Sequence, residues 1–93
     1  MLKVNEYYDG NVKSIAFKTP EGPATVGVIT KGEYEFRTSS KEIMTIISGR
    51  MAVKLPGGSV WKDYKQSETF VVEAGQKFQL KANEDTAYIC LYR

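Results

Sequence analysis

Glu42 is the residue best placed to do chemistry in this chain. In the segment Glu42-Ile43-Met44-Thr45-Ile46-Ile47-Ser48 it shares an alternating face with Met44, Ile46 and Ser48. A carboxylate in register with apolar neighbours is costly to bury unless something pairs it or uses it. A carboxylate that opens a strand at the rim of a fold, solvated or capping a turn, fits the same pattern. Spacing alone leaves both readings open.

The absence of histidine narrows the chemistry more than any motif does. It removes an imidazole general base, a Ser-His or Cys-His nucleophile pair, and every metal site built on imidazole. A single cysteine, Cys90, leaves no thiolate cluster for zinc or iron–sulfur ligation and no internal disulfide. Carboxylates, hydroxyls, amines and backbone groups remain, and no metal or cofactor is expected. Cys90 lies mid-strand with no neighbour to lower its pKa, and reads as a small core hydrophobe rather than a nucleophile. Pro56-Gly57-Gly58-Ser59 lacks the Gly-Lys-Ser/Thr sequence and following helix of a phosphate loop, so it reads as a turn.

These groups need a scaffold, and composition says which kind. Val, Ile and Thr number 8, 6 and 7 and the aromatics 11, against 10 for Leu and Ala together. Such stiff side chains suit pleated sheets, and good helix formers are scarce. Turn signals recur at Asp9-Gly10-Asn11, Lys31-Gly32, Ser48-Gly49, Ala74-Gly75 and Asn83-Glu84-Asp85, with strand-length segments between them. The pattern predicts strands near 3–8, 12–18, 24–30, 33–38, 42–48, 50–55, 68–73, 77–82 and 86–92, with long loops at 19–23 and 56–67. Many short strands in one small domain predict an all-β barrel, since closure removes exposed sheet edges. Tyr34, Phe36, Phe78, Tyr88 and Tyr92 alternate inward and would fill it, while the tyrosine hydroxyls leave room for a pocket with polar handles. Trp61 and Tyr64 would pin the longer loop.

At 93 residues the chain is one domain, 1–93, with no repeat, linker or low-complexity tract. Thirteen basic and eleven acidic residues are interspersed, for a net charge of +2, which argues against a nucleic-acid footprint. No apolar run is long enough to span a membrane as a helix, and Met1-Leu2-Lys3-Val4-Asn5-Glu6 has no signal-peptide core. A reducing cytoplasm is the expected compartment. Ile43 to Ile47 carries apolar residues on both faces, only one of which a closed monomer buries, so a homodimer is expected.

Gly32 to Gly49 resembles the first motif of the cupin barrels, a jelly-roll fold, through the Glu42-to-Gly49 spacing. Thr38 and Ser40 stand about where cupins carry two metal-binding histidines, and Phe78 near where the second motif carries another. The imidazole ligands are therefore missing, and the usual cupin metal is not carried over. A wider resemblance joins Asn5-Glu6-Tyr7, Val12-Lys13-Ser14-Ile15, Val26-Gly27-Val28 and Gly32-Glu33-Tyr34-x-Phe36-x-Thr38. It continues through Glu42-x-Met44-Thr45, Ser48-Gly49, Leu55-Pro56, Trp61-x-x-Tyr64, Phe70-x-Val72, Phe78-x-Leu80 and Tyr88-x-Cys90-x-Tyr92. This string is similar to the small pyrimidine/purine nucleoside phosphorylases, single-domain cupins of this length. Glu73 departs from it, where a proline before Ala74-Gly75 is expected.

The resemblance implies reversible phosphorolysis: a purine or pyrimidine nucleoside and inorganic phosphate give the free base and ribose 1-phosphate. It implies a substrate site of Phe36, Met44, Phe78, Tyr88 and Tyr92 around the base. Thr38, Glu42 and Ser48 would serve the ribose, with Glu42 the catalytic group. Lys13, a cation inside a matched stretch, is the expected phosphate ligand. Arg37 and Arg50 fall at positions the family pattern leaves free, and the amides of the Ser48-Gly49 turn are an alternative. Two rival readings stand beside this one: a non-catalytic, metal-free cupin that binds a sugar or small metabolite, and a structural dimer with a filled barrel.

Overall fold

Alternation of apolar and polar side chains produces ten strands in a computed structural model that describes residues 1–93. They are β1 (Lys3–Tyr7), β2 (Val12–Thr19), β3 (Gly22–Ile29), β4 (Gly32–Arg37) and β5 (Glu42–Ser48), then β6 (Arg50–Lys54), β7 (Lys62–Lys65), β8 (Thr69–Val72), β9 (Lys77–Ala82) and β10 (Thr86–Tyr92). Every pairing is antiparallel. One sheet has the order β1-β2-β3-β10-β5-β8 and the other β4-β9-β6-β7. There is no helix, and so none long and apolar enough to cross a membrane.

The fold is an all-β, cupin-like sandwich, and its two sheets do not close into the hydrogen-bonded barrel that the strand pattern predicts. Within each sheet one ladder runs on past the strand ends. Thr38 N–H donates to the Gln76 carbonyl and Gly75 N–H to the Thr38 carbonyl beyond β4 and β9. Ile46 N–H donates to the Glu68 carbonyl and Ser67 N–H to the Ile46 carbonyl, along β5 and beyond β8. Between β1 and β4 a side chain substitutes for a ladder: the Tyr8 hydroxyl donates to the Glu35 carbonyl and accepts from the Glu35 N–H.

Two loops also differ from expectation. Residues 19–23 tighten into a hairpin with Thr19 paired to Gly22, its hydroxyl donating to the Gly22 carbonyl. Within 56–67, Lys62–Lys65 forms a strand against β6, and Tyr64 is buried rather than pinning a loop. One inward tyrosine among three exposed charged residues gives too short an alternation to stand out in the sequence.

Fifteen buried residues between the sheets form the core, among them Val12, Ile29, Ile46, Met51, Val53 and Leu80. Each fully buried aliphatic side chain stabilises the fold by about 1.5–3 kcal/mol. An aromatic row runs through this layer from Tyr8 through Tyr34, Phe36, Phe78 and Phe70 to Tyr64, with successive ring centroids 5.0 to 6.4 Å apart. The row is continuous except at one end, where the layer opens.

Candidate functional site

A cavity of about 590 Å³ opens between the inner face of β2, β3, β10 and β5 and the strands β4 and β9. A well-formed concave site with a few convergent polar groups in an apolar lining is the usual form of a small-molecule site. Six expected residues meet here. Glu42 and Met44 come from β5, Phe36 from β4, Phe78 from β9, and Tyr88 and Tyr92 from β10. Strand alternation places them, because β10 presents Tyr88, Cys90 and Tyr92 on one face. Its pairing with β5 sets Cys90 opposite Met44 and Tyr92 opposite Glu42.

The other three expected residues lie elsewhere. Thr38 is buried at a corner of the sandwich, where its hydroxyl donates to the Glu73 carbonyl at 2.7 Å and accepts from the Gln76 N–H at 3.0 Å. Its position is structural. Ser48 shares the face of Glu42 only if alternation persists along β5, and it does not. A bulge lets Ser48 pair with Ala87 while Ile46 pairs with Tyr88, so Ile47 is extra and Ser48 is left exposed. Lys13 points outward from β2 with its ammonium 3.1 Å from Glu6, away from the cavity. The Ser48-Gly49 turn packs against Asp85 and Thr86, likewise outside it.

Eight lining residues were not assigned to the site by sequence, and five of them bear most on its chemistry. Tyr7 and Tyr8 sit exposed at the mouth, delivered by the β1–β2 hairpin, whose tip holds Tyr8 and Asp9 at φ of 53° and 56°. Arg37, exposed at the end of β4, is the only cation in the lining. Its side chain forms no ion pair in the chain, whereas Glu35 lies 4.0 Å from Lys77. Ser14 and Cys90 line the interior. The signal for Ser14 was the one that marks Glu42, a polar group in register with a buried apolar neighbour, here Val12. Arg37 gave none, because a charged residue on an edge strand is ordinary.

Burial dominates the electrostatics. Half-buried Glu42 has its carboxyl pKa raised above the ordinary 4.5 by desolvation, partly offset by the Cys90 thiol, which donates to Oε1 at 3.4 Å. Desolvation, reinforced by the charge of Glu42, pushes the Cys90 thiol far above its usual range and keeps it protonated. Tyr88 and Tyr92 are likewise held neutral, first by burial. The Tyr92 hydroxyl is 3.0 Å from that of Thr25. The interior thus holds one half-buried carboxyl, that of Glu42, among hydroxyls and rings, with the exposed residues Glu35 and Arg37 of β4 also in the lining.

The donor set does not fit the metal that many cupins carry. No three His, Cys, Asp or Glu side chains converge anywhere in the chain. Thr38 is engaged with backbone and Phe78 belongs to the aromatic row.

Fold and site together describe a cupin-like sandwich with a cavity in which Glu42 is the one half-buried carboxylate and Glu35 an exposed one. The chain belongs to the pyrimidine/purine nucleoside phosphorylase family, whose model matches residues 2–92. It is 59% identical over 93 residues to the pyrimidine/purine nucleoside phosphorylase of Pseudomonas fluorescens, covering 100% of this chain and 99% of that protein. It is 57% identical over 93 residues to that of Pseudomonas aeruginosa, covering all of both. Among solved structures it is similar to a Vibrio parahaemolyticus protein of unknown function, with TM-score 0.93, 39% identity, and 97% and 96% of the two chains covered. An RmlC-like cupin from Shewanella frigidimarina matches with TM-score 0.72 at 16% identity, over 96% of this chain and 80% of that one, which supports the fold alone.

Proposed function

We propose that the protein is a broad-specificity nucleoside phosphorylase, a pentosyltransferase that converts purine and pyrimidine nucleosides and inorganic phosphate to free base and ribose 1-phosphate. The observation that carries this reading is the cavity itself. It combines aromatic walls, a half-buried carboxylate and an unpaired arginine at the rim. A filled core has no such space, and the family membership supports the reaction.

In this reading Phe36, Phe78 and Met44 enclose the substrate, and stacking tolerates any base because each has a π-face. A phosphate oxygen attacks the anomeric carbon and the glycosidic C–N bond breaks. Its electron pair goes to the base nitrogen, which takes up the proton that the attacking phosphate loses. The sugar becomes oxocarbenium-like on the way, and the Glu42 carboxylate stabilises that charge more than the neutral ground state. Arg37 replaces Lys13 as the phosphate ligand, since its planar fork matches phosphate oxygens and nothing else in the chain occupies it. The reverse reaction uses the same contacts. The lone, unbridged Cys90 fits a cytoplasmic setting.

The test is release of free base from uridine and from adenosine, with and without phosphate. Phosphate-dependent release of base with stoichiometric ribose 1-phosphate supports the reading. Tight nucleoside binding with no release identifies a metal-free cupin that binds without catalysis, and rejects it.

A homodimer belongs to the same proposal. On the outer face of the larger sheet, Val4, Ile15, Val26 and Ile89 lie side by side across four strands. Phe17, Ala24, Leu91, Ile43 and Val71 form a second apolar row beside them. A second copy of this chain, related by two-fold symmetry, covers such a face with its own.

A further inference from the structure

Ser14, Gly27 and Tyr88 face one another across three neighbouring strands, with Ser14 paired to Gly27 and Gly27 to Tyr88. The Tyr88 ring, itself part of the core, lies across β3. A Cβ on Gly27 would stand 2.5 Å from the Tyr88 hydroxyl oxygen and 2.6 Å from Cζ, closer than real contacts allow. Only glycine admits the ring in this pose, which carries the phenol hydroxyl toward Ser14 and leaves the volume above it open.

Both residues are more than nine-tenths buried, at 5% and 7% exposure. Neither hydroxyl bonds to another group of the chain, and neither is sealed in the interior: both face the cavity. Two adjacent hydroxyls that the chain itself leaves unclaimed and that open onto a cavity are free to meet a ligand's polar edge. Ile29 and Leu80 line the same region and supply flat apolar contact.

Resting on the phosphorylase reading, we infer that Ser14 and Tyr88 read the nucleobase edge, and that Gly27 shapes this base subsite. Glu42 lies on β5, three strand-to-strand steps from Ser14 on β2 and four residues along β5 from Ile46, the partner of Tyr88. The hydroxyl pair and Glu42 thus lie at separate parts of the cavity lining, the base edge at one and the anomeric carbon toward the other. Hydroxyls also account for breadth. An Asn or Asp presents a fixed pattern of donors or acceptors, whereas a hydroxyl rotates to donate to a carbonyl or ring nitrogen, or to accept from an amino group. Two such groups accommodate the differing edges of uracil and adenine without exchanging side chains.

The test compares wild type with Ser14→Ala and Tyr88→Phe, checking by melting temperature that each folds; neither change removes a hydrogen bond within the chain. Each variant should raise the KM for uridine and for adenosine about 5- to 30-fold, and weaken inhibition by free uracil and adenine to match. Inhibition by ribose 1-phosphate should stay within about twofold. Gly27→Ala, which drives the ring into the cavity, should weaken both nucleosides more than either deletion does. Variants that leave nucleoside KM unchanged in an active enzyme overturn the subsite alone, as does equal weakening of ribose 1-phosphate. A wild type that releases no base overturns the phosphorylase reading first, a separate and prior result.

Discussion

Glu42 shows how one side chain acquires a role from its surroundings. Its charge in a partly dry cavity is what would favour an oxocarbenium-like sugar, and Glu42→Gln keeps the shape while removing the charge. Loss of about 2–4 kcal/mol of transition-state stabilisation predicts a fall in kcat/KM of roughly 30- to 1,000-fold for both uridine and adenosine. Steady-state phosphorolysis measures it, and wild-type turnover would remove Glu42 from the mechanism. The same variant has a signature in stability. Because the folded pKa is raised above the unfolded 4.5, the folded state holds this proton more tightly. Stability is then lost as pH climbs from the unfolded value through the folded one, and the loss stays constant above it. Glu42→Gln should therefore melt higher than wild type at pH 7 and show no such gain at pH 4. Arg37 is the complementary group at the rim. Arg37→Ala should raise the KM for phosphate about 10- to 100-fold, the range of a lost charge-assisted hydrogen bond, and leave the KM for nucleoside near wild type.

At the level of strands, the sequence disclosed alternation and concealed its interruptions. Tyr34 and Phe36, Phe78 and Leu80, and Tyr88, Cys90 and Tyr92 face inward as a period of two requires. That regularity also brings Glu42 and Met44 into the cavity. Ser48 escapes because one extra residue at Ile47 breaks the register, and no residue type in Ile46-Ile47-Ser48 announces a bulge. Thr38 follows the inward pattern of β4, but its hydroxyl is claimed by the backbone of the turn before β9. Contacts of that kind, between residues 35 and 38 positions apart, are set by tertiary packing and invisible in local spacing. Lys13 shows the limit of a matched stretch, since its place on the outer face follows from Val12 and Ser14 pointing in. Thr38 then carries a prediction proper to this scale. Thr38→Ala leaves the Gln76 N–H without its side-chain acceptor and removes a donor to Glu73, and should cost about 1–3 kcal/mol. Denaturant unfolding measures it as a lower midpoint at unchanged slope.

For the molecule as a whole, two sheets of unequal size leave one large face unpartnered. The apolar rows across that face predict that Val26→Glu, placed in the row between Ile15 and Ile89, turns a dimer into a monomer. Sedimentation at micromolar concentration reads the change; a wild type that already sediments as a monomer refutes the dimer.

An open sandwich also leaves four strands at sheet borders, β1 and β8 in one sheet and β4 and β7 in the other. Each border is a row of unpaired amides and carbonyls on which a stray chain can polymerise. β7 is four residues long and carries Lys62 and Lys65, while β1 carries Lys3 and Glu6. β4 has neither brevity nor lysine, and there the Tyr8 phenol occupies the N–H and C=O of Glu35. This contact, which holds the hairpin at the cavity mouth, therefore also blocks one point of that border against strand addition. Tyr8→Phe retains the ring and frees that border, so concentrated samples held below the melting transition should become turbid and bind an amyloid dye sooner than wild type. Matched light-scattering time courses would disprove it.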